Sequence, residues 1–379
     1  MTANRKLLFF VNEGAFFGSH RLPLAQEANR RGFEVVVVCG EGTGEAGLER
    51  LGIRTRTVRL SRSGFNPLRE WRTFRELLAV YRAENPDIVH HVTIKPVIYG
   101  TRVARRIGVP AVVNAIPGLG FVFTQSGFLG ALRRTAVNAL YRFALVHPRM
   151  RLVFQNREDM LGFAHHGIGA AEKAYLIRGS GVDLAALQHS PEPPGSPRFV
   201  LVARMLKDKG VREFVEAARL LKVTEPDWTF ELVGDVDPGN PASLVRAELE
   251  RWRDEGIVRW SGYRSDVGRV LAESHVVCLP SYREGLPKSL LEGAASGRAM
   301  IATDVPGCRE VVRDGVTGLL VPPRDARALA EAMRRLGEDP GLRRRLGKAA
   351  REKAEILFSV EDVVRDTFLI YDELLQSCP

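Results

Sequence analysis

Two glutamates and two basic residues in the second half of the chain have the types and spacing to do chemistry. Glu284 and Glu292, with seven residues between them, lie in Ser281-Tyr-Arg-Glu-Gly-Leu-Pro-Lys-Ser-Leu-Leu-Glu-Gly293. The apolar run before them, residues 275–280, reads as a buried parallel strand, and residues 287–296 read as the helix it feeds, with Pro287 in the first turn and Gly297 after the last. That puts Glu284 in a strand-to-helix loop and Glu292 inside the helix. Open α/β sheets bind small molecules at the carboxyl ends of their parallel strands. The plain alternative makes Glu284 a solvated loop charge and Glu292 part of a solvated helix face. Upstream, Arg204-Met-Leu-Lys-Asp-Lys209-Gly210 joins the strand at 198–203 to a helix with Val211, Phe214, Val215, Ala218 and Leu221 on one face. Basic residues there add charge-assisted contacts to free backbone N–H groups and make an anion site.

The elements that must position these groups follow from hydrophobic patterning. Residues 7–11, 35–39, 55–60, 88–91 and 111–114 are short apolar or β-branched runs separated by helical stretches, the clearest from Asn66 to Ala83. The alternation predicts a parallel sheet with helices on both faces. The breaker-rich Glu192-Pro-Pro-Gly-Ser-Pro197 reads as a linker, after which strand and helix alternate again. The loop at residues 12–18, with Gly14 and Gly18, precedes a helix that Ser19 would cap and that runs to about Gly32. Such a loop suits a phosphate or sugar, or forms a bare turn. His90, His91 and Lys95 fall just past a strand. His90 is equally readable as a hydrogen-bonded core residue. Lys95 at a helix start opposes the helix dipole and so suggests a nearby anion. In Asn114-Ala-Ile-Pro117-Gly118-Leu-Gly120-Phe-Val-Phe123 the glycines let a ligand approach, or form a Pro-Gly turn beside buried aromatics.

The paired glutamates, followed by Asp304-Val-Pro-Gly-Cys-Arg-Glu310, resemble the motif of the retaining family 4 glycosyltransferases of the GT-B fold. The resemblance covers nearly the whole chain and is most specific over residues 199–321. It implies two Rossmann-like domains facing a central cleft, here residues 1–190 and 198–358, with a terminal helix from 359 crossing back onto the first. It implies that Glu284 meets the donor sugar and Glu292 the ribose; a carboxylate accepts two hydrogen bonds from a vicinal diol in fixed geometry. Arg204 and Lys209 would grip the donor diphosphate. Residues 260–263 would hold the base. The expected donor set is then Gly18, Arg204, Lys209, Gly234, Tyr263, Glu284, Gly285, Leu286, Pro287, Lys288, Ser289 and Glu292. Phe17-Gly-Ser-His-Arg-Leu-Pro-Leu-Ala25, His91 to Lys95-Pro96 and Pro117 to Phe123 look most like enzymes that extend undecaprenyl-diphosphate sugars. The acceptor set implied is Ser19, His20, Arg21, His90, His91, Lys95, Gly118 and Gly120, with His91 also catalytic. The Asp235-Val-Asp237 turn needs no metal in this reading, and neither metal nor cofactor is expected.

Composition narrows the partners. The 379 residues carry a formal net charge of +10 and are 45% hydrophobic, enough for two domains. An anionic partner is implied: nucleic acid, an acidic membrane surface or a phosphorylated substrate. No acidic residue lies between Asp87 and Glu158, while Lys95 and nine arginines do. Within that interval residues 128–146 alternate apolar side chains with Arg133, Arg134 and Arg142, as a basic amphipathic helix on an acidic bilayer would, or as a helix packed on its own sheet. The four cysteines are dispersed, as in a reduced, cytoplasmic protein, and the N-terminal apolar run is too short for a signal peptide or a membrane span. Polyprenyl-diphosphate acceptors would then place the protein peripherally at the inner face of the cell membrane. The competing functions are a UDP-sugar epimerase of the same fold and a basic nucleic-acid-binding protein, the latter without any recognisable binding module.

Overall fold

The computed structural model describes residues 5–60, 66–118, 127–168 and 171–376, with only the backbone described for 127–134 and 171. The described chain forms two compact units, one of Met1–Ser180 with Val363–Pro379 and one of Gly181–Asp362.

The first unit is built on seven strands, β1 (Lys6–Phe10), β2 (Glu34–Gly40), β3 (Arg54–Val58), β4 (Ile88–Val92), β5 (Ala111–Ile116), β6 (Met150–Phe154) and β7 (Ala174–Leu176). They run parallel in the order β3-β2-β1-β4-β5-β6-β7. Valine runs such as Val35 to Val38 are buried because helices cover both faces, so these strands show no polar alternation. The helix Pro67–Glu84 starts where the Asn66 side chain accepts from the Leu68 and Arg69 N–H groups, and it stops at Asn85 in the left-handed region. The helix Val360–Gln376 brings Val363, Phe368, Tyr371 and Leu374 into the same core as Leu7, Phe9 and Val37. One expectation is corrected: the first helix starts at Gly14 rather than after Ser19, and a break at Arg21 divides Gly14–His20 from Leu22–Arg30. The Ser19 hydroxyl donates to the carbonyls of Ala15 and Phe16 within its helix instead of capping one.

The second unit repeats the plan with β8 (Arg198–Val202), β9 (Thr229–Val233), β10 (Arg259–Trp260), β11 (Val276–Leu279), β12 (Ala299–Thr303) and β13 (Leu319–Val321), parallel in the order β10-β9-β8-β11-β12-β13. The breaker-rich stretch is not where the chain changes units; it lies inside the second unit. Two buried arginines hold it there. The Arg298 guanidinium donates to the carbonyls of Ser190, Pro191, Leu271 and Ala272 and to the Ser190 hydroxyl. Arg343 pairs with Glu192 while donating to Leu336 and Gly337. The change of units comes earlier, at Ser180–Gly181, and again at Asp362.

Candidate functional site

In the second sheet β8 and β11 are neighbours, yet the chain leaves β8 toward β9 and leaves β11 toward β12. This is the point where strand order reverses, and the loops leaving such neighbours splay apart to leave a crevice. Arg204 and Lys209 sit on the loop after β8, and Glu284 on the loop after β11. After β8, a short turn over Lys207–Lys209 ends at Gly210, with φ of 68°, and the helix Val211–Lys222 follows. A Cβ on Gly210 would lie 2.0 Å from the Pro280 carbonyl oxygen of the β11 loop, so only glycine allows the two loops to touch. The Tyr282 N–H donates to the Asp208 carbonyl at 2.9 Å and fastens them. Lys209 is thereby brought to Glu284, and its ammonium donates to the carboxylate at 2.5 Å. Behind Glu284 the chain of Pro306–Val311 packs so closely that a Cβ on Gly307 would stand 2.6 Å from the Glu284 carbonyl oxygen.

Glu292 projects from the helix Lys288–Ala295, with Pro287 as its N-cap. Its carboxylate is 3.6 Å from the Lys288 ammonium. Burial raises its pKa above the usual carboxylate range, and Lys288 only partly opposes this. Arg204 donates to Asp237 at 2.8 Å, and Arg246 to Asp235 at the same distance, so both acids of the Asp-X-Asp turn hold arginines. The Gly234 N–H donates to the Gly262 carbonyl, the Trp260 indole to the Gly234 carbonyl, and Tyr263 stands exposed beside them. Gly285, Leu286 and Ser289 complete the loop and first helical turn next to Glu284, Leu286 with its side chain buried.

The N-terminal set is scattered. His90 and His91 point to opposite faces of β4, as successive strand residues must. His91 is fully buried, with Nδ1 2.7 Å from Asn114 Oδ1 and Nε2 3.0 Å from the Tyr81 hydroxyl; burial lowers its pKa to about 3. It is a core histidine, not an open catalytic group. His90 is also buried and lies 2.5 Å from the Tyr371 hydroxyl. Arg21 is buried and donates to the Gly179 carbonyl, and its pKa is lowered to about 10 by that burial. Lys95 is ion-paired with Glu70 at 2.7 Å; the anion it faces belongs to this chain. Gly18 sits inside a helix rather than in a loop. His20 stacks on Phe16 and pairs with Ser19 at 2.7 Å. Gly118 is the last described residue after β5; Gly120, Phe121 and Phe123 lie outside the described residues, as do the side chains of Arg133 and Arg134. Arg142 is exposed and donates to the His166 carbonyl.

Residues 6–155 match the family model of glycosyl transferase 4-like domains, and residues 196–339 that of glycosyl transferases group 1. This chain is a GT-B glycosyltransferase of group 1 type. Among curated relatives it is 29% identical to the N,N'-diacetylbacillosaminyl-diphospho-undecaprenol alpha-1,3-N-acetylgalactosaminyltransferase of Campylobacter jejuni, over 97% of this chain and 99% of that one. It is 28% identical to the putative glycosyltransferase EpsD of Bacillus subtilis, over 97% and 96% of the two chains. Among solved structures it resembles Anabaena Alr3699/HepE in complex with UDP (TM-score 0.77, 19% identity, 97% and 100% covered) and the sucrose-phosphate synthase of Thermosynechococcus elongatus (TM-score 0.79, 20% identity, 99% and 100% covered).

Several residues near the glycosyltransferase's loops gave no sequence signal. The Tyr282 hydroxyl donates to Glu213 at 2.6 Å; burial, then this bond, raises its pKa to about 12, while the Arg324 guanidinium lies 4.5 Å from the ring centre. In the first unit, Thr93 follows β4 with φ of 80°, its hydroxyl buried without a hydrogen-bond partner among the described residues, as is Asn12 Oδ1 after β1. Backbone strain of about 1–3 kcal/mol at a non-glycine residue is invisible in a sequence.

Proposed function

We propose that the enzyme transfers a hexose or N-acetylhexosamine from a UDP-sugar, with retention at the anomeric carbon, to a saccharide carried on a polyprenyl diphosphate. The observation that carries this reading is the Lys209–Glu284 pair at 2.5 Å across the β8/β11 crevice. It sets a cation for a diphosphate directly beside a carboxylate for sugar hydroxyls. The lipid-diphosphate acceptor named in the Campylobacter jejuni relative supports the acceptor class.

In this reading Glu284 accepts from the donor sugar's hydroxyls and Glu292 from the ribose diol. Arg204 and Lys209 neutralise charge that grows on the diphosphate as the anomeric C–O bond breaks. The acceptor hydroxyl attacks from the face the diphosphate leaves, and its proton passes to the departing phosphate oxygen. This route asks the protein for positioning and electrostatics rather than a nucleophile. Gly234, Gly262 and Tyr263 border the base, and Gly285 to Ser289 offer main-chain groups to the sugar and phosphates. Ser19, His20 and Gly118 remain as acceptor contacts. The product belongs to surface polysaccharide or glycan assembly at the inner face of a membrane.

The test is thermal stabilisation by a panel of nucleotide sugars, followed by transfer to a synthetic polyprenyl-diphosphate saccharide with the product's anomeric configuration read by NMR. A ligand at a hundred times its Kd adds about 2.7 kcal/mol. An inverted product removes the retaining mechanism. Conversion of UDP-N-acetylglucosamine without acceptor makes the protein an epimerase.

A further inference from the structure

The acid-free interval from 88 to 157 does not leave all its cations unmatched once the chain is folded. Lys95 meets Glu70, and Arg151 meets Glu373 at 2.5 Å, both acids coming from outside the interval. The cations left without an ion pair among the described residues include three on one turn of the helix Ile94–Ile107: Arg102, Arg105 and Arg106. With Phe143 and Val146 they line an open groove of about 480 Å³. The groove is shaped by the fold. The Arg105 guanidinium donates to the Val146 carbonyl at 2.6 Å, and that of Arg102 lies 3.9 Å from the centre of the Phe143 ring. Each guanidinium has five N–H donors, so most of them stay available to an incoming anion. Phe143 is 61% exposed and Val146 37%.

We propose that this groove binds the phosphate headgroup of an anionic phospholipid in a bilayer, with Phe143 and Val146 lying against the glycerol and upper acyl chain. Charge complementarity requires an anion, because three adjacent guanidiniums with no carboxylate partner repel one another. The exposed apolar pair selects a lipid over a free phosphate, which would gain nothing from Phe143 or Val146. The proposal rests on the reading of a membrane-borne acceptor and gives it a docking point distinct from the donor loops.

The experiment is cosedimentation of the full chain with vesicles of phosphatidylcholine alone or with about 30 mol% phosphatidylglycerol, where each basic residue near the surface contributes appreciably. Wild type should pellet with the anionic vesicles only. Arg105→Glu with Arg106→Glu should weaken this at least tenfold, with an unchanged melting temperature and unchanged transfer to a short-chain, water-soluble acceptor. Phe143→Ser should weaken it severalfold with all charges kept. Vesicle binding within twofold of wild type in the charge-reversed variant overturns the proposal. So does equal competition by free glycerol phosphate, or tighter retention on an oligonucleotide. The functional reading fails separately: vesicle binding with no sugar transfer sinks the enzyme assignment and leaves the groove, and transfer without vesicle binding does the reverse.

Discussion

Glu284 and Lys209 make a pair whose two members are expected to have different partners during turnover. Exchanging Glu284 for Gln keeps its size and loop packing but removes the charge that receives sugar hydroxyls and orients Lys209. Transfer should fall by about a hundredfold, equivalent to ~2.7 kcal/mol of transition-state stabilisation, with melting unchanged. Steady-state kinetics beside calorimetric melting checks this, and near-normal kcat removes Glu284 from the chemistry. Glu292 gives a second expectation, because only the ionised carboxylate accepts both ribose hydroxyls. Its raised pKa means that protonation begins at a higher pH than for an ordinary glutamate, so UDP affinity should weaken as pH falls through that raised value. Titration calorimetry of UDP against pH, on wild type and Glu292→Gln, reads the effect. An affinity as pH-independent in wild type as in the variant rules it out.

At the scale of elements, the site depends on two loops that one glycine lets touch. Gly210→Ala puts a methyl carbon where the Pro280 carbonyl stands, in a backbone region that costs an alanine about 1–2 kcal/mol. The loops must separate, and Lys209 with them. UDP should bind at least tenfold more weakly while the sheet, buried beneath, stays folded, as circular dichroism and calorimetry would show. Strand β4 yields a different expectation. His91 is neutral when folded, with its pKa near 3, against an ordinary value of about 6.5 when unfolded. Between those values the unfolded chain binds a proton that the folded chain does not, so stability decreases as pH falls below about 6.5, by up to ~1.4 kcal/mol per pH unit from this group. Urea denaturation at about pH 7.5 and about pH 5 should show a shallower loss for His91→Gln than for wild type. Equal losses would mean that His91 does not carry the dependence.

For the molecule as a whole, the C-terminal helix completes the first core. Val363, Phe368, Tyr371 and Leu374 are all buried there, each contributing about 1.5–3 kcal/mol by burial, against a typical domain stability of 5–15 kcal/mol. A chain ending before Val360 should lose the fold of its first unit and keep that of the second. Limited proteolysis should degrade the first unit and leave a resistant fragment from the second; protection of both units would contradict the packing. The same scale decides the charge. Glu70 and Glu373 neutralise cations that a linear reading leaves free, and three others, Arg102, Arg105 and Arg106, share one turn of one helix.

The sequence by itself determined the alternation of strands and helices, the doubled Rossmann-like plan, the two loops bearing Glu284, Arg204 and Lys209, and the helix bearing Glu292. Those features are local: apolar runs, glycines and prolines at element ends, and spacing along a single loop. What lay beyond it were distances between residues far apart in the chain. That Lys209 pairs with Glu284, and Arg204 with Asp237, depends on which strands are neighbours. That His91 and Arg21 are core groups depends on what packs over them, Tyr81 and Asn114 in one case and the Gly179 segment in the other. The proline-rich stretch looked like a linker because breakers mark loops without saying what holds them. Arg298 and Arg343 fix it inside the second unit through hydrogen bonds and an ion pair whose partners are more than a hundred residues away, and only the folded chain brings those groups together.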